Sequence, residues 1–274
     1  MKITFSKWVL FLVFGVFFYT ACNKKDKEPQ PNSNVMAEIK LEFDNVAGNQ
    51  NLQLNSTTYT NAVGEQFTVS LFNYYVSNFV FKTAQGNEYV VPQDSCYFLV
   101  QESNRNSQVV KMRVPEGDYT EVSFVIGVDS LRNTMDVSRR TGSLDVANLT
   151  GENKMYWSWN SGYIFVKLEG NSPAAPADPT GARRFRYHIG GFGGYSSRTI
   201  NNIKTTTISF GNQHAKVRKG KSPLVHLEVD VLKVFNGSTN LSIASHPTVM
   251  FSPFSVNIAN NYQKMFSFHH LHNE

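Results

Sequence analysis

The sequence predicts an all-β protein, an antiparallel β-sandwich of about ten strands with one short C-terminal helix. Short segments in which apolar and polar residues alternate recur along the chain, and turns rich in Gly, Asn or Pro separate them. Long segments with helical periodicity do not alternate with these strands, which argues against a parallel α/β sheet. The pattern therefore favours two antiparallel sheets that share one core.

The segment 38–43 shows the strand pattern most simply, because Ile39, Leu41 and Phe43 alternate with charged residues and share one apolar face. The bend in the long apolar stretch after residue 66 is expected near Asn73 or Asn78. The same pattern predicts further strands at 52–54, 66–71, 74–81, 88–91, 97–100, 110–114, 119–128, 163–168, 205–210 and 223–232.

Two segments depart from strand periodicity. Residues 129–151 are rich in Ser, Asn, Arg and Thr, and we predict a long loop there with one helical turn. Residues 253–261 carry Phe254 and Ile258 at helical spacing, followed by Tyr262, which predicts the C-terminal helix.

The N-terminus predicts export and lipid attachment. Lys2 and Lys7 precede an apolar run, and small Ala21 stands before Cys22, as in a bacterial lipoprotein signal, although Tyr19 stands where Leu is more usual. An uncleaved anchor is the alternative, but an apolar run of about twelve to fourteen residues is short for a membrane span. We therefore predict a signal peptide at 1–21, lipidation of Cys22, a polar proline-bearing tether at 22–36 and one folded domain at 37–274.

Charge and cysteine content exclude some classes of protein. Removal of a segment that contains Lys2 and Lys7 lowers the formal charge from +5 to +3, and the remaining basic residues are scattered, so we expect no nucleic-acid partner. If Cys22 carries lipid, Cys96 has no partner within the chain, since there are two cysteines. Cys96 is then a buried thiol or a metal ligand, and the fold has no disulfide.

The stretch 155–170 holds both tryptophans that follow the signal segment. In a strand, Trp157 and Trp159 point to one face, the turn 160–162 follows, and a second apolar strand returns from Tyr163. This pattern predicts an aromatic hairpin. Large aromatics in such a hairpin are also what an ordinary sandwich core requires.

A glycine cluster at 190–194 follows the strand that contains His188. The cluster lacks the Lys-Ser/Thr and the helix of a phosphate-binding loop, so a close approach of the backbone to another group is the better interpretation.

Zinc-protease, CxxC, calcium-loop and serine-hydrolase motifs are absent from the sequence. The histidines are therefore the remaining candidates for a functional site. His214, His226 and His246 are interpreted as ordinary solvated residues. His270 and His272 point to one face if the C-terminal tail is extended, and such a pair can hold copper or zinc. Ordinary hydrogen bonding by isolated histidines is the alternative.

Several segments resemble one protein family. These are Gly-Val-Asp-Ser at 127–130, Met-Tyr-Trp-Ser-Trp-Asn-Ser-Gly-Tyr at 155–163, Lys-Leu-Glu-Gly at 167–170, Tyr-His-Ile-Gly at 187–190 and Asn-Asn-Tyr at 260–262. Together they look like the MbnP family of secreted proteins, common as lipoproteins of Bacteroidetes. The resemblance implies a β-sandwich that binds copper in the periplasm or at the cell surface. It also implies a tryptophan that a di-haem enzyme of the MauG type oxidises to kynurenine.

Carried over to this chain, the resemblance implies oxidation of Trp157 or Trp159, with His188 as a copper ligand and His270 or His272 as a second ligand. Met155 and Tyr163 then lie beside the site. Some copper-binding relatives place a histidine two residues from the modified tryptophan, and this chain does not, which implies a rearranged or lost site.

Two hypotheses of function follow. The first is a non-catalytic copper-binding lipoprotein in the outer membrane of a Gram-negative bacterium, on its periplasmic or surface face, that passes copper to an outer-membrane transporter. The second is a metal-free binding or adhesion protein, in which Tyr and Asn of 192–202 contact glycans or a partner. An enzyme is disfavoured, because the sequence carries no cofactor motif.

Overall fold

Two β-sheets pack face to face around one apolar core, so the predicted all-β sandwich is confirmed. The computed structural model describes residues 30–151, 154–158 and 162–274. The strands in this part of the chain are β1 (Met36–Ala47), β2 (Gln50–Asn51), β3 (Thr58–Thr60), β4 (Gln66–Thr83), β5 (Glu88–Val90), β6 (Tyr97–Gln101), β7 (Val109–Pro115), β8 (Gly117–Ile126), β9 (Tyr156–Trp157), β10 (Gly162–Asn171), β11 (Arg184–Gly190), β12 (Lys204–Ser209), β13 (Ala215–Val217), β14 (Leu224–Asp230), β15 (Thr248–Val249) and β16 (Phe266–His272).

Helices are few and short. The predicted C-terminal helix is present as α4, and the loop after β8 holds the expected helical turn, α2, together with two short 3₁₀ segments at Val137–Arg139 and Gly142–Leu144. The α-helices in the described residues are α1 (Arg105–Gln108), α2 (Ser130–Thr134), α3 (Leu232–Phe235) and α4 (Ser255–Tyr262). A further 3₁₀ turn covers Gln93–Ser95.

The smaller sheet has the order β16-β14-β1-β2, with β7 also paired to β1. Strands β1 and β14 run parallel, in a register from Lys40–Leu224 to Val46–Asp230, and β11 and β15 are parallel as well. These pairs correct the expectation of a purely antiparallel sandwich. Alternation of apolar residues shows which side chains share a face, but it carries no information about strand direction.

The larger sheet has the order β12-β8-β4-β10-β11-β15. The central strand β4 is 18 residues long, and β3, β5 and β6 also pair with it. Its predicted bend falls at Asn78, which has a φ of 53°, and the register with β8 shifts between Ser77 and Val80. A bulge of this kind lets one long strand serve several partners without breaking the sheet.

The core between the sheets is aromatic. Phe43 of the smaller sheet is fully buried, and its ring makes edge-to-face contacts with Tyr74, Phe124 and Phe266, with centroids 6.3, 5.7 and 6.0 Å away. Tyr74 and Phe124 belong to β4 and β8, so these contacts join the two sheets directly.

Cys96 is a free and buried thiol, which agrees with its interpretation as a buried thiol rather than a metal ligand. Burial raises the pKa of this thiol.

A second cluster of buried side chains covers the outer face of the larger sheet, and the segment 129–151 contributes to it. We call it the outer aromatic cluster. Its buried members are Tyr75, Val128, Leu144, Leu149, Met155, Trp157, Tyr163, Ile164, Phe165 and Phe192.

None of the helices in residues 30–151, 154–158 and 162–274 is long and apolar enough to cross a membrane.

Replacing Phe43 by alanine should destabilise the protein by about 3–5 kcal/mol, because it empties the contact between the sheets. Unfolding of the purified protein by guanidinium, followed by far-UV circular dichroism, measures this loss. The control Val90→Ala removes a side chain that is 65% exposed and should change stability by less than about 0.5 kcal/mol. Equal midpoints for the two variants would contradict this account of the core.

Candidate functional site

The residues predicted to form the site lie on opposite outer faces of the sandwich. His188 belongs to β11, whose inward residues Phe185, Tyr187 and Ile189 lie in the main core, so His188 faces outward from the larger sheet. His270 and His272 belong to β16 of the smaller sheet. The structure therefore does not bring His188 to the terminal histidines. Cys22 and Trp159 lie outside the described residues.

The aromatic hairpin is present. Strands β9 and β10 pair antiparallel, with Trp157 opposite Gly162 and Tyr156 opposite Tyr163. Trp157 is only 6% exposed and lies against β11. A Cβ atom added to Gly190 would come within 2.7 Å of Cζ3 of the indole and 2.4 Å of the Tyr163 carbonyl oxygen. The backbone at Gly190 thus approaches other groups closely, as the glycine cluster predicts.

Segment 129–151 and its neighbours enclose this hairpin. The Arg140 guanidinium is buried, lies 5.4 and 5.5 Å from the ring centroids of Tyr156 and Tyr163, and donates hydrogen bonds to the carbonyl oxygens of Asn133 and Met135. Burial raises the pKa of Tyr163 to about 12. The side chains around the hairpin are therefore largely buried.

Met155 and Tyr163, the two residues expected beside the site, are both members of the outer aromatic cluster together with Trp157. Met155 is fully buried, and the Tyr163 hydroxyl donates to the Leu144 carbonyl oxygen. Both side chains therefore help to hold the indole in place.

His188 shares the outer face with this indole. In β11 it stands two residues from Gly190, a spacing of roughly 6.5 Å along a strand, and both positions face outward. Its Nε2 lies 2.7 Å from Oε1 of Glu169, and Lys167 Nζ lies 3.7 Å from the same oxygen. Lys167 is also the cross-strand neighbour of His188. One histidine, one carboxylate and one ammonium group thus meet on the outer face that also carries Trp157.

The charge on Glu169 determines which nitrogen of His188 is available. The hydrogen bond from His188, opposed by burial and supported by Lys167, lowers the pKa of Glu169, so the carboxylate is ionised near neutral pH. An ionised carboxylate only accepts hydrogen bonds, so Nε2 of His188 donates, and Nδ1 is the nitrogen left to face a metal ion. A carboxylate that orients a histidine through its second nitrogen is typical of metal-binding histidines. His188 therefore fits a copper ligand, with the charges of Lys167 and Glu169 offsetting one another.

The C-terminal tail forms a strand, so His270 and His272 point to the same face, as expected. Strand β16 pairs with β14, and His270 stands opposite His226. The register shifts next to this pair, since Phe268 stands opposite Leu227 and His269 is left over. This bulge allows Phe268 to pack against the core while His270 faces outward.

His226, His270 and His272 form one group, and each offers a nitrogen within 4.8 Å of the others. The rings of His226 and His270 stack with centroids 4.0 Å apart, and the ring of His272 stands edge-on to both. Burial, with the neighbouring imidazoles adding to it, lowers the pKa of His270 and favours its neutral form. The interpretation of His226 as an ordinary solvated residue needs correction, because its ring is part of this group.

Sequence reasoning missed His226, Glu169 and Arg140. The roles of His226 and Glu169 depend on which strands pair and in which register, and the role of Arg140 depends on how segment 129–151 packs on the hairpin; strand alternation alone reveals neither. The sequence offers one signal for His226, which is its position on the polar face of β14.

A cleft lined by Phe192, Tyr195 and Phe251 has a volume of about 170 Å³. Pockets for small ligands usually measure about 300–1,000 Å³, so this cleft is small for a sugar. The glycan-binding alternative therefore gains no support from it.

Comparison with known proteins identifies a family that matches most of the chain. A family model described as MbnP matches residues 36–251, which include Trp157 and His188 but end before His270. Among solved structures, MbnP from Methylosinus trichosporium is similar, with a TM-score of 0.54 and 17% identity over 80% of this chain and 82% of that chain. At this identity the likeness shows the fold alone. No curated protein matches the sequence.

Gly190→Ala should displace the indole of Trp157, because the new methyl group needs the space that the ring occupies. We expect red-shifted tryptophan emission and a loss of about 1–3 kcal/mol in stability, as for other overpacked sites. Gly117→Ala is the matched control, since its Cβ would meet its nearest neighbour at 3.4 Å, an ordinary contact. Unchanged emission in Gly190→Ala would show that the ring does not lie there.

Glu169→Gln should change how stability depends on pH. The pKa of Glu169 is lowered in the folded state from its usual value near 4.5. Ionised Glu169 therefore stabilises the folded state above that pH, and this stabilisation disappears as the pH falls below it. The wild-type protein should therefore lose more stability than Glu169→Gln over this acidic range. Chemical unfolding at a series of pH values measures the difference. Glu88→Gln, which alters an exposed carboxylate, should follow the wild type, and parallel curves for all three proteins would refute the linkage.

Proposed function

Because the chain belongs to the MbnP family, we propose that it is a copper-binding lipoprotein of the bacterial cell envelope. It takes up or passes on copper as cargo and catalyses no reaction of its own. One observation carries this proposal above the others: the indole of Trp157 is held over Gly190, on the same face as His188, inside the residues that the family model matches.

His188 supplies the protein ligand that this proposal requires. Glu169 holds Nε2, so Nδ1 is the nitrogen left to bind an ion, and imidazole nitrogen suits copper in either common oxidation state. The thioether of Met155, buried in the same cluster, is a soft donor of the kind that copper(I) prefers.

The tryptophan supplies a further ligand only after oxidation. The indole nitrogen is a hydrogen-bond donor and offers no lone pair to a metal. Oxidative opening of the ring to kynurenine, with dioxygen or peroxide as the oxidant used by the di-haem enzyme, places a ketone oxygen on the side chain and releases one ring carbon as a one-carbon acid. The product carries an aromatic amine and a ketone oxygen, both of which could face an ion. We propose Trp157 as the residue oxidised, with Trp159 as the other candidate, and a MauG-like di-haem enzyme as the partner that oxidises it.

The location follows from the N-terminal pattern. A lipid on Cys22 would attach the domain to the outer membrane of a Gram-negative cell, and residues 22–36 would hold it away from the lipid surface. An outer-membrane transporter is the proposed recipient of the copper.

Protein purified from its native host tests this proposal. Oxidation to kynurenine adds about four mass units to the peptide that carries the modified tryptophan, which a proteolytic mass map detects. We expect the oxidised protein to bind one more copper ion per chain than protein made without the di-haem enzyme, by equilibrium dialysis.

Replacing His188 by alanine should remove this additional copper, whereas His214→Ala, an exposed loop histidine, should keep it. Equal copper binding by oxidised and unoxidised protein, or by His188→Ala and the wild type, would contradict the proposed role of this face. Absence of any copper binding by the oxidised protein would leave the metal-free binding protein as the better hypothesis.

A further inference from the structure

We propose that His226, His270 and His272 form a second metal site, for a divalent first-row transition-metal ion, with copper(II) preferred. The site lies on the outer face of the smaller sheet and needs no oxidised tryptophan. It is separate from the face that carries His188, because the core between the two sheets lies between them.

His226 has the properties of a prepared ligand. Its Nδ1 lies 2.8 Å from Oε2 of Glu42, its cross-strand neighbour in β1. Its Nε2 is buried and has no hydrogen-bond partner in the part of the chain that the structure describes. A buried polar atom without a partner is costly, and here it belongs to a group whose other nitrogens are nearby. With Nδ1 donating to the carboxylate, the lone pair of Nε2 is available to an ion.

The other two ligands come from one strand. His270 and His272 stand two residues apart in β16, on the outward side of the bulge at His269. Without the bulge, both would share the face of Phe268 and point into the core. The ladder between β14 and β16 therefore sets the geometry of the group, which makes it less adaptable than a histidine tail in solution.

The distances allow one ion with a small adjustment. Nitrogens bound to one ion at about 2.0–2.1 Å lie roughly 3.3–3.6 Å apart in a tetrahedral site, and neighbouring nitrogens of a tetragonal copper(II) site lie roughly 2.8–3.0 Å apart. Nitrogens within 4.8 Å of one another must therefore close by roughly 1–2 Å. His272 is exposed, and the rings of His226 and His270 stack with centroids 4.0 Å apart. Three protein ligands would leave at least one position open to water or to a ligand from another protein.

The donor atoms select the class of ion. Three imidazole nitrogens suit copper, zinc and nickel, whereas magnesium and calcium require several oxygen ligands. For nitrogen sites of equal geometry, copper(II) binds more tightly than the other divalent ions of the series. Glu42 and Glu228, which lies 3.9 Å from His269, add negative charge close to the site.

The family resemblance implies one site that joins His188 to His270 or His272, whereas the structure places the two terminal histidines on the other sheet, with His226. The matched residues end at 251, and both His270 and His272 follow them, whereas Trp157 and His188 lie inside the match. The chain would thus carry a solvent-accessible metal site in addition to the enclosed face beside Trp157.

The experiment uses full-length protein in detergent, without a polyhistidine tag, made in cells that lack the di-haem enzyme. An intact mass confirms that the tryptophans are unmodified. Copper(II) alone, and zinc(II) alone in a second series, are titrated by equilibrium dialysis, and electron paramagnetic resonance reports the nitrogens bound to copper. We expect one copper(II) per chain with hyperfine coupling to several nitrogens, and weaker binding of zinc.

Three variants and one control identify the ligands. His226→Ala and His272→Ala should each weaken copper binding at least tenfold and reduce the number of coupled nitrogens. Glu42→Gln should weaken it about tenfold or more while keeping all three nitrogens, as expected for a residue that orients a ligand. The control His214→Ala, which alters an exposed loop histidine, should bind as the wild type does.

The result that overturns the proposal is no stoichiometric copper(II) binding by the unmodified wild type, or binding that survives loss of His226 and His272. Because His272 is exposed, His272→Ala should fold normally, and circular dichroism checks this. Loss of copper binding in this variant then shows that His272 is a ligand. Binding that disappears in His188→Ala but not in His272→Ala would refute this site and support the other face. The two proposals therefore fail independently.

Discussion

The packing of the smaller sheet onto the larger one through Phe43 is the contact on which the rest of the structure depends. Phe43 touches rings from β4, β8 and β16, so it joins both sheets and the C-terminal strand in one core. Once the inner faces are filled in this way, the period of two along each strand sends every alternate side chain outward. His188 and His226 are outward for the same reason that their neighbours are buried, and they emerge on opposite sides of the molecule.

The two outer faces differ in how they are covered. Segment 129–151, with Arg140 between aromatic rings, encloses the face that carries Trp157, so polar groups there meet few water molecules. In such surroundings the ionised Glu169 controls which nitrogen of His188 donates. The face of the smaller sheet is more open, and His272 reaches solvent.

Sequence patterns were most reliable where local periodicity decides structure. The strand at 38–43, the bend at Asn78, the helix near 253–261 and the hairpin around Trp157 were all predicted from residue spacing. The parallel pairing of β1 with β14 was not, because it joins segments far apart in the chain. For the same reason the sequence does not reveal the role of His226, because its partners Glu42, His270 and His272 lie on other strands, far from it in the chain.

The sequence by itself determined that this chain is an all-β sandwich, with strands bounded by turns and aromatic residues inside. Periodicity and turn residues are local properties, and they suffice for those conclusions. Only the tertiary structure decided which histidines meet. That outcome depends on strand order, on register and on the one-residue bulge at His269, and a shift of one position in any of these would turn the same side chains to the other face.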